Sequence, residues 1–210
     1  GGEEELPTMG GYRMIRVLGR GGMGVVYEAE QLDLRRRVVL KLLPGRCSRD
    51  PEARVRLRRE AWTAARLRHP GIVRVIDVGE HDEDIYLVME FIRGAPLDAV
   101  LGEMHEHVGE IRTGADFGRS VVRHMIRPEN EPDTADEEWI ADSPTWRGSW
   151  VEVTTRIGAK IAEALQHAHA SDIVHRDIKP SNILIQENGE PVLIDFGLAV
   201  EGGDSTLTRV

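Results

Sequence analysis

Two polar motifs, each next to apolar runs, decide the fold of this chain: HRDIKPSN at residues 175–182 and DFG at residues 195–197. The first motif places a histidine, an arginine, an aspartate, a lysine and an asparagine within eight positions, and the second begins thirteen residues beyond Asn182. The neighbouring apolar runs NILI and PVLI predict short strands joined by loops. Because functional residues are often found on loops held by a rigid scaffold, both motifs are candidates for a functional site.

A glycine-rich stretch near the N-terminus, LGRGGMGVV at residues 18–26, contains the spacing G-x-G-x-x-G. A dinucleotide-binding fold requires a strand before these glycines and a helix after them. Here the residues that follow, GVVYEAEQ, alternate as in a strand. The sequence therefore predicts a β-hairpin whose turn lies over phosphate groups. An ordinary glycine-rich hairpin turn explains this stretch alone equally well, since the chain has 22 glycines.

Lys41 ends the apolar run VVLK on a predicted strand. A lysine in such surroundings requires an anionic partner, because a buried unpaired charge is costly. Glu60, in the helix predicted to start after Asp50, offers one carboxylate, and a nucleotide phosphate would be another anion. For this residue taken alone, a lysine at the protein surface remains an alternative interpretation.

Periodicity predicts the organisation of the first half of the chain. Residues 1–11 are expected to be a flexible acidic lead. Residues 12–92 predict three strands, one helix and two further strands, which together make a small antiparallel sheet with one helix. Residues 93–102 begin a second lobe.

The segment 103–148 differs from the rest in charge and pattern. It carries eleven Asp or Glu, five Arg and no Lys, and its helix and strand periods are both weak. We therefore interpret it as an acidic insertion that is partly disordered. Three tryptophans are expected to anchor its end to the body of the protein: Trp139, Trp146 and Trp150.

Residues 149–210 start with a predicted amphipathic helix. From Val151 onward, apolar residues recur at four-residue spacing on one face: Val153, Ile157, Ile161 and Leu165. We expect the last three of these to pack on elements beyond Val210. Leaving such side chains in water costs several kcal/mol at ~25 cal/mol per Å², so we expect the chain to fold poorly alone.

Together these motifs resemble the protein kinase family. The sequences of the glycine loop and of residues 67–75, LRHPGIVRV, are most similar to those of the bacterial, eukaryotic-like serine/threonine kinases. The matching pieces occur in the family's order: the glycine loop, Lys41, Glu60, HRDIKPSN and DFG. The resemblance implies an α+β bilobal fold. Its N-lobe would be a five-stranded antiparallel sheet with one main helix, followed by the first part of a mostly helical C-lobe. No Ala-Pro-Glu follows DFG, so we expect the chain to stop inside the activation segment.

The resemblance also implies the roles of the site residues, with ATP as phosphate donor and Mg²⁺ as metal. Four residues would be catalytic: Lys41, Glu60, Asp177 and Lys179. Two would bind the metal: Asn182 and Asp195. The nucleotide would contact Lys41 and thirteen further residues: Leu18, Gly19, Arg20, Gly21, Gly22, Met23, Gly24, Val25, Val26, Met89, Glu90, Ile92 and Leu184. Val39 replaces the alanine of the family pattern and would crowd the adenine pocket, whereas His175 would only pack the loop.

Regulation is implied by Arg176, which in the family usually pairs with a phosphate on the activation segment. Thr206 and Thr208 are the candidate phosphorylation sites. Two exposed loop threonines without a regulatory role are the alternative.

Composition narrows the function classes. The formal net charge of −9 disfavours general nucleic-acid binding, no apolar run reaches the ~18 residues of a membrane span, and the single cysteine excludes a disulfide framework. The sequence thus predicts a cytoplasmic, ATP-dependent kinase that acts on Ser or Thr of protein substrates. A membrane anchor of the parent protein beyond residue 210 stays an open alternative. A non-catalytic, pseudokinase-like scaffold is the alternative, and a Rossmann oxidoreductase is disfavoured by the strand after the glycines.

Overall fold

The structure of the protein is a computed structural model that describes residues 8–21, 24–43, 55, 62, 65–81, 84–106, 113–129 and 144–195. The first part of the chain forms an antiparallel β-sheet. The sheet has six strands: β1 (Thr8–Met9), β2 (Tyr12–Gly21), β3 (Gly24–Gln31), β4 (Arg36–Leu42), β5 (Val75–His81) and β6 (Asp84–Glu90). Their order is β1-β2-β3-β4-β6-β5, and all neighbours are antiparallel.

The antiparallel sheet is confirmed, but the prediction of five strands is one short. β1 lies in the segment expected to be a flexible lead and pairs Thr8 with Arg13 and Met9 with Tyr12. A two-residue strand has no period to detect, so this edge strand left no signal in the sequence. The helix predicted after Asp50 lies mostly outside the described residues.

Strand alternation assigns the side chains of β4 to two faces. Val38 and Leu40 are fully buried on one face, against Tyr86 and other apolar residues of the sheet. Because successive side chains of a strand point to opposite faces, Val39 and Lys41 lie on the other face. That second face is turned toward the second part of the chain, so Lys41 lies between the sheet and that part.

The second part of the chain is mainly helical. It contains α1 (Leu97–Glu106), α2 (Gly114–Arg123), α3 (Trp150–His169) and the short strands β7 (Ala95–Pro96), β8 (Ile183–Ile185) and β9 (Pro191–Leu193). The three strands form an antiparallel sheet in the order β7-β8-β9. None of the described helices is long and apolar enough to cross a membrane.

The amphipathic helix predicted after Ser149 is α3. Ser149 caps it, since its hydroxyl accepts the Glu152 N–H at 3.3 Å while the Glu152 carboxylate accepts the Ser149 N–H at 2.7 Å. Ile157 is 5% exposed in the main core, and Ile161 and Leu165 pack against the same core. The expectation that these three residues need elements beyond Val210 is therefore wrong for Ile157, because α2 and the residues around it supply neighbours.

Part of the segment 103–148 belongs to this core, which the sequence did not predict. Thr113 and Asp116 form a capping box at the start of α2, and Phe117 is fully buried beside Trp146, with ring centroids 6.0 Å apart. Two glycines and a serine lower the helix propensity of this stretch, which explains why it was not predicted to be a helix. Of the three expected anchors, Trp146 is buried, Trp150 is 39% exposed and Trp139 lies outside the described residues.

We expect the Trp146→Ala variant to lose about 3–5 kcal/mol of unfolding free energy, the usual cost of truncating a buried aromatic side chain. Trp150→Ala, which removes a partly exposed ring four residues further along, is the matched control and should lose much less. Urea unfolding followed by circular dichroism measures both. Equal losses for the two variants would show that Trp146 does not contribute to the core.

Candidate functional site

An apolar cleft lies between the sheet and the helical part, with a volume of about 250 Å³. Its upper wall comes from β2, β3 and β4, and its lower wall from β8. The segment between β6 and β7 closes the back. The lining residues are Leu18, Gly19, Val26, Val39, Val73, Met89, Glu90, Phe91, Ile92, Pro96, Ile126, Ser181, Leu184, Ile194 and Asp195.

Half of the fourteen residues predicted to contact a nucleotide line this cleft: Leu18, Gly19, Val26, Met89, Glu90, Ile92 and Leu184. Asp195, predicted to bind the metal, and Val39, predicted to crowd the adenine pocket, line it as well. Arg20, Gly21, Gly24 and Val25 belong to the hairpin strands without lining the cavity, and Gly22 and Met23 lie outside the described residues. Six lining residues were not predicted from the sequence: Val73, Phe91, Pro96, Ile126, Ser181 and Ile194.

Lys41 and Asp195 meet at one side of the cleft. The Lys41 Nζ lies 2.8 Å from Asp195 Oδ1, and the lysine side chain is only 2% exposed. This contact joins the sheet to the residue that follows β9. Asp195 has φ +62°, a left-handed conformation that an aspartate adopts at some cost in strain. The predicted partner Glu60 lies outside the described residues, so the lysine–glutamate pair stays a prediction.

A network of hydrogen bonds holds the loop around Asp177. Asn182 Nδ2 donates to the Asp177 carbonyl at 2.8 Å and to Asp177 Oδ2 at 2.9 Å. The buried His175 contacts Ile194 O through Nε2 at 2.9 Å, and the Asp177 N–H donates to His175 Nδ1 at 3.4 Å. Since a carbonyl oxygen only accepts, Nε2 carries the imidazole hydrogen. His175 therefore has the packing role expected of it, with both ring nitrogens engaged.

Ile194 connects this loop to Asp195. Its N–H donates to the Asn182 carbonyl at 2.9 Å, and its own carbonyl is the acceptor for His175. The two hydrogen bonds fix Asp195 relative to Asn182. Both described side-chain bonds of Asn182 use Nδ2, so its Oδ1 is not engaged in them. A carboxylate and a carboxamide oxygen held this way are the hard ligands that Mg²⁺ prefers, completed by substrate phosphates.

Lys179 and Asn182 keep the carboxyl group of Asp177 ionised. Lys179 Nζ lies 2.8 Å from Asp177 Oδ2, and this hydrogen bond is the main cause that lowers the pKa of Asp177 below its ordinary value. The bond from Asn182 adds to it. Asp177 is thus present as an acceptor at neutral pH. Arg176 beside it is exposed, with φ +66°, whereas Thr206 and Thr208 lie outside the described residues.

The glycines of the hairpin separate into two kinds. An added Cβ at Gly19 or Gly21 would meet nothing within 4 Å, so the protein itself does not demand glycine there. At Gly24, φ is +116° and a Cβ would lie 1.9 Å from the Leu42 carbonyl oxygen. The open space at Gly19 and Gly21 fits a ligand that approaches the backbone closely, as a polyphosphate does.

Alanine at Gly24 is expected to destabilise the protein by more than ~1 kcal/mol, because the native conformation is incompatible with a side chain. Alanine at Gly21 is the matched control from the same hairpin, and we expect it to leave the melting temperature nearly unchanged. Differential scanning fluorimetry gives both melting temperatures. A lower melting temperature for Gly21→Ala than for Gly24→Ala would contradict this assignment.

Burial lowers the pKa of His175 below its ordinary value, despite opposing hydrogen bonds and carboxylates. The unfolded chain, with a histidine pKa of about 6.5, therefore binds the proton more readily than the folded state. We expect the contribution of this residue to stability to be complete above that value and to be lost as the pH falls below it. Urea unfolding between about pH 8 and pH 5.5 measures this loss of unfolding free energy. The His175→Asn variant should be less stable than the wild type at pH 8, and its unfolding free energy should change less with pH. An identical slope in wild type and variant would contradict the expectation.

Comparison with known proteins agrees with this geometry. A family model described as protein tyrosine and serine/threonine kinase matches residues 12–209. The chain is 39% identical over 195 residues to serine/threonine-protein kinase PknA of Mycobacterium tuberculosis, covering 90% of this chain and 36% of PknA. It is 36% identical over 210 residues to the probable serine/threonine-protein kinase SCO3848 of Streptomyces coelicolor, covering 98% of this chain and 25% of that protein.

The fold has a solved counterpart. A crystal structure of the Mycobacterium tuberculosis PknI kinase domain superimposes with a TM-score of 0.62 at 27% sequence identity, covering 94% of this chain and 64% of that one. The chain therefore spans about a quarter to a third of the curated relatives above and just under two thirds of this domain. The bilobal fold expected from the motifs is confirmed.

Proposed function

Because the chain belongs to the protein tyrosine and serine/threonine kinase family, we propose that it transfers the γ-phosphate of Mg²⁺-bound ATP to serine or threonine hydroxyls of protein substrates. The observation that carries this proposal is the contact of the buried Lys41 with Asp195 at an apolar cleft, with Asn182 and Asp177 hydrogen-bonded to each other close by. Phosphoryl transfer requires positioning and charge neutralisation, and these four side chains supply both.

The cleft suits the adenosine part of ATP. Leu18, Val26 and Leu184 offer apolar surfaces above and below a planar ring, and the backbone of Glu90 and Ile92 would pair with its polar edge. Met89, which lines the cleft, would limit the size of the base. Val39 brings two more methyl groups than alanine would, so this chain has a narrower upper wall.

The charged side chains suit the phosphates. Lys41 would hold the α- and β-phosphates, and Glu60 would keep the lysine in place once the phosphates compete with Asp195 for it. Mg²⁺, when bound, neutralises phosphate charge, and the oxygens of Asp195 and Asn182 would hold it. Arg20, Gly21, Gly22, Met23, Gly24 and Val25 would cover the phosphates as the tip of the hairpin.

Asp177 would accept a hydrogen bond from the substrate hydroxyl and orient it. It is held ionised by Lys179 and fixed in place by Asn182, so the carboxylate is ready before a substrate arrives. Lys179 would then neutralise the phosphoryl group during transfer. We further propose that Arg176 pairs with a phosphate on Thr206 or Thr208, and that catalysis occurs in the cytoplasm, where ATP is found.

The experiment that tests this function is transfer of labelled phosphate from [γ-³²P]ATP to a basic protein, with Mg²⁺ or with EDTA. We expect Mg²⁺-dependent labelling of phosphoserine and phosphothreonine, and no labelled phosphotyrosine, after acid hydrolysis. Tandem mass spectrometry of the labelled enzyme locates any phosphate on Thr206 or Thr208. Binding of ATP without transfer to protein would instead support the pseudokinase-like alternative.

A further inference from the structure

We propose that residues 126–129, which we call the strap, complete the nucleotide site: Ile126 contacts the bound nucleotide, and the buried Glu28 is the positioning residue that holds the strap there. This inference deepens the proposed function and rests on it. The strap follows α2 within the segment interpreted as an insertion, so the site would include a residue that none of the kinase motifs supplies.

Ile126 is part of the wall of the cleft. It lines the same cavity as Leu18, Ile92 and Leu184. Its N–H donates to the Gly94 carbonyl at 2.9 Å, and the two residues form an isolated antiparallel bridge. Gly94 lies two residues beyond Ile92, so the strap runs directly beside the segment that would pair with the base. An apolar side chain at this position adds contact area for the adenosine part of the ligand.

The strap is held to the sheet by a buried carboxylate. Glu28 on β3 is fully buried, and it accepts a hydrogen bond from Arg16 Nε at 2.7 Å. Arg37 lies 3.3 Å from its other oxygen. A buried carboxylate is costly unless charges and hydrogen bonds satisfy it, so the two arginines are needed for Glu28 to be tolerated there.

The strap completes this cluster through its backbone. The Glu129 N–H donates to Glu28 Oε1 at 3.0 Å, Arg37 donates to the Glu129 carbonyl at 3.3 Å, and Arg16 donates to the Arg127 carbonyl. Since all three strap atoms are backbone atoms, the sheet recognises the course of the chain rather than particular strap side chains. Glu28 and the two arginines that it pairs with therefore hold the strap against the sheet.

The three anchors are on different parts of the protein. Met125, just before the strap, is buried in the helical core, Ile126 is bonded to the connecting segment, and Glu129 is bonded to the sheet. The strap therefore joins the upper and lower walls of the cleft beside its connecting segment. The bond to Gly94 and the cluster around Glu28 together hold Ile126 where a ligand between those walls would meet it.

Titration of the protein with ADP and Mg²⁺ in a calorimeter tests the contact. Ile126→Ala is expected to weaken ADP binding by about 3- to 10-fold, the loss expected when an apolar side chain is removed from a ligand contact. The same factor is expected for AMP, because the contact is with adenosine. Ile126→Ala binding ADP as tightly as the wild type would overturn the proposal.

The role of Glu28 is tested with Glu28→Ala and a control on the same strand. Glu30→Ala removes a carboxylate two residues further along that pairs with Arg13, and it should leave ADP affinity unchanged. Glu28→Ala is expected to weaken ADP binding by about as much as Ile126→Ala. In the double variant the losses should not multiply, because Glu28 acts through Ile126. Fully multiplicative losses would assign Glu28 a purely structural role.

The outcomes separate this inference from the proposed function. If the wild type binds no ADP, the proposed function fails, and the strap proposal falls with it. If the wild type binds ADP while both variants bind it equally well, only the strap proposal is overturned. If Glu28→Ala does not fold, Glu28→Gln removes the charge while keeping the shape of the side chain, and the same double-variant comparison applies.

Discussion

Asp177→Asn is expected to lower the rate of phosphate transfer by about 10²- to 10⁴-fold, the range for removing a positioned acid–base group, while ADP affinity changes little. The asparagine keeps the size of the side chain and one oxygen to accept from Lys179. It loses the negative charge that Lys179 and Asn182 now stabilise, and so it binds the substrate hydroxyl less strongly. Steady-state rates with [γ-³²P]ATP and a basic protein substrate measure this effect.

Asp172→Asn is the matched control for that experiment. Asp172 precedes the same loop, is exposed and has φ +58°, a conformation that asparagine tolerates well. The same chemical change at this position should leave the rate within about two-fold, as is usual for surface substitutions away from a site. If Asp177→Asn retained the rate of Asp172→Asn, the assignment of Asp177 to the reaction would be wrong.

Lys41→Met is the second substitution with a large expected effect. Methionine preserves much of the apolar stem that β4 buries but leaves Asp195 without its partner and the phosphates without a cation. We expect kcat/KM for ATP to fall about 10²- to 10³-fold, the range observed when one preorganised donor to a developing charge is removed. Measuring kcat and KM separately shows whether the fall in kcat/KM comes from weaker nucleotide binding or from slower phosphate transfer.

Lys160→Met is the control for this substitution. Lys160 also pairs with a carboxylate, Glu190, but both side chains are nearly half exposed on the surface. Exposed pairs contribute only about 0–1 kcal/mol, so this variant should keep its activity. A similar fall in kcat/KM for both variants would mean that loss of any lysine–carboxylate pair, rather than the position of Lys41, explains the effect.

The features that the sequence predicted are those with strong local signals. The glycine hairpin, the strand that carries Lys41 and the loop of Asp177 each combine a strand period with polar residues at fixed spacing. The helix α3 was predicted from its apolar residues at four-residue spacing from Val151 onward, whereas its serine cap was seen only in the structure. In each case the signal for the secondary structure lies within one short stretch of the chain.

The features that the sequence missed depend on contacts between distant segments. β1 is two residues long, and α2 gets its stability from packing of Phe117 against Trp146 rather than from helix propensity. Ile126 faces the cleft because a backbone bond to Gly94 places it there. Glu28 is buried because Arg16 and Arg37 converge on it from neighbouring strands. No local period encodes such pairings.

We propose that Lys41, Asp177, Asn182 and Asp195 together surround one nucleotide with its Mg²⁺. The most direct test of this proposal is the effect of Mg²⁺ on the affinity for a non-hydrolysable ATP analogue, measured by calorimetry for the wild type and for Asp195→Asn. We expect Mg²⁺ to tighten binding of the analogue to the wild type. This gain should disappear in Asp195→Asn, which should still bind the analogue without Mg²⁺. An equal gain from Mg²⁺ in both proteins would contradict this proposal.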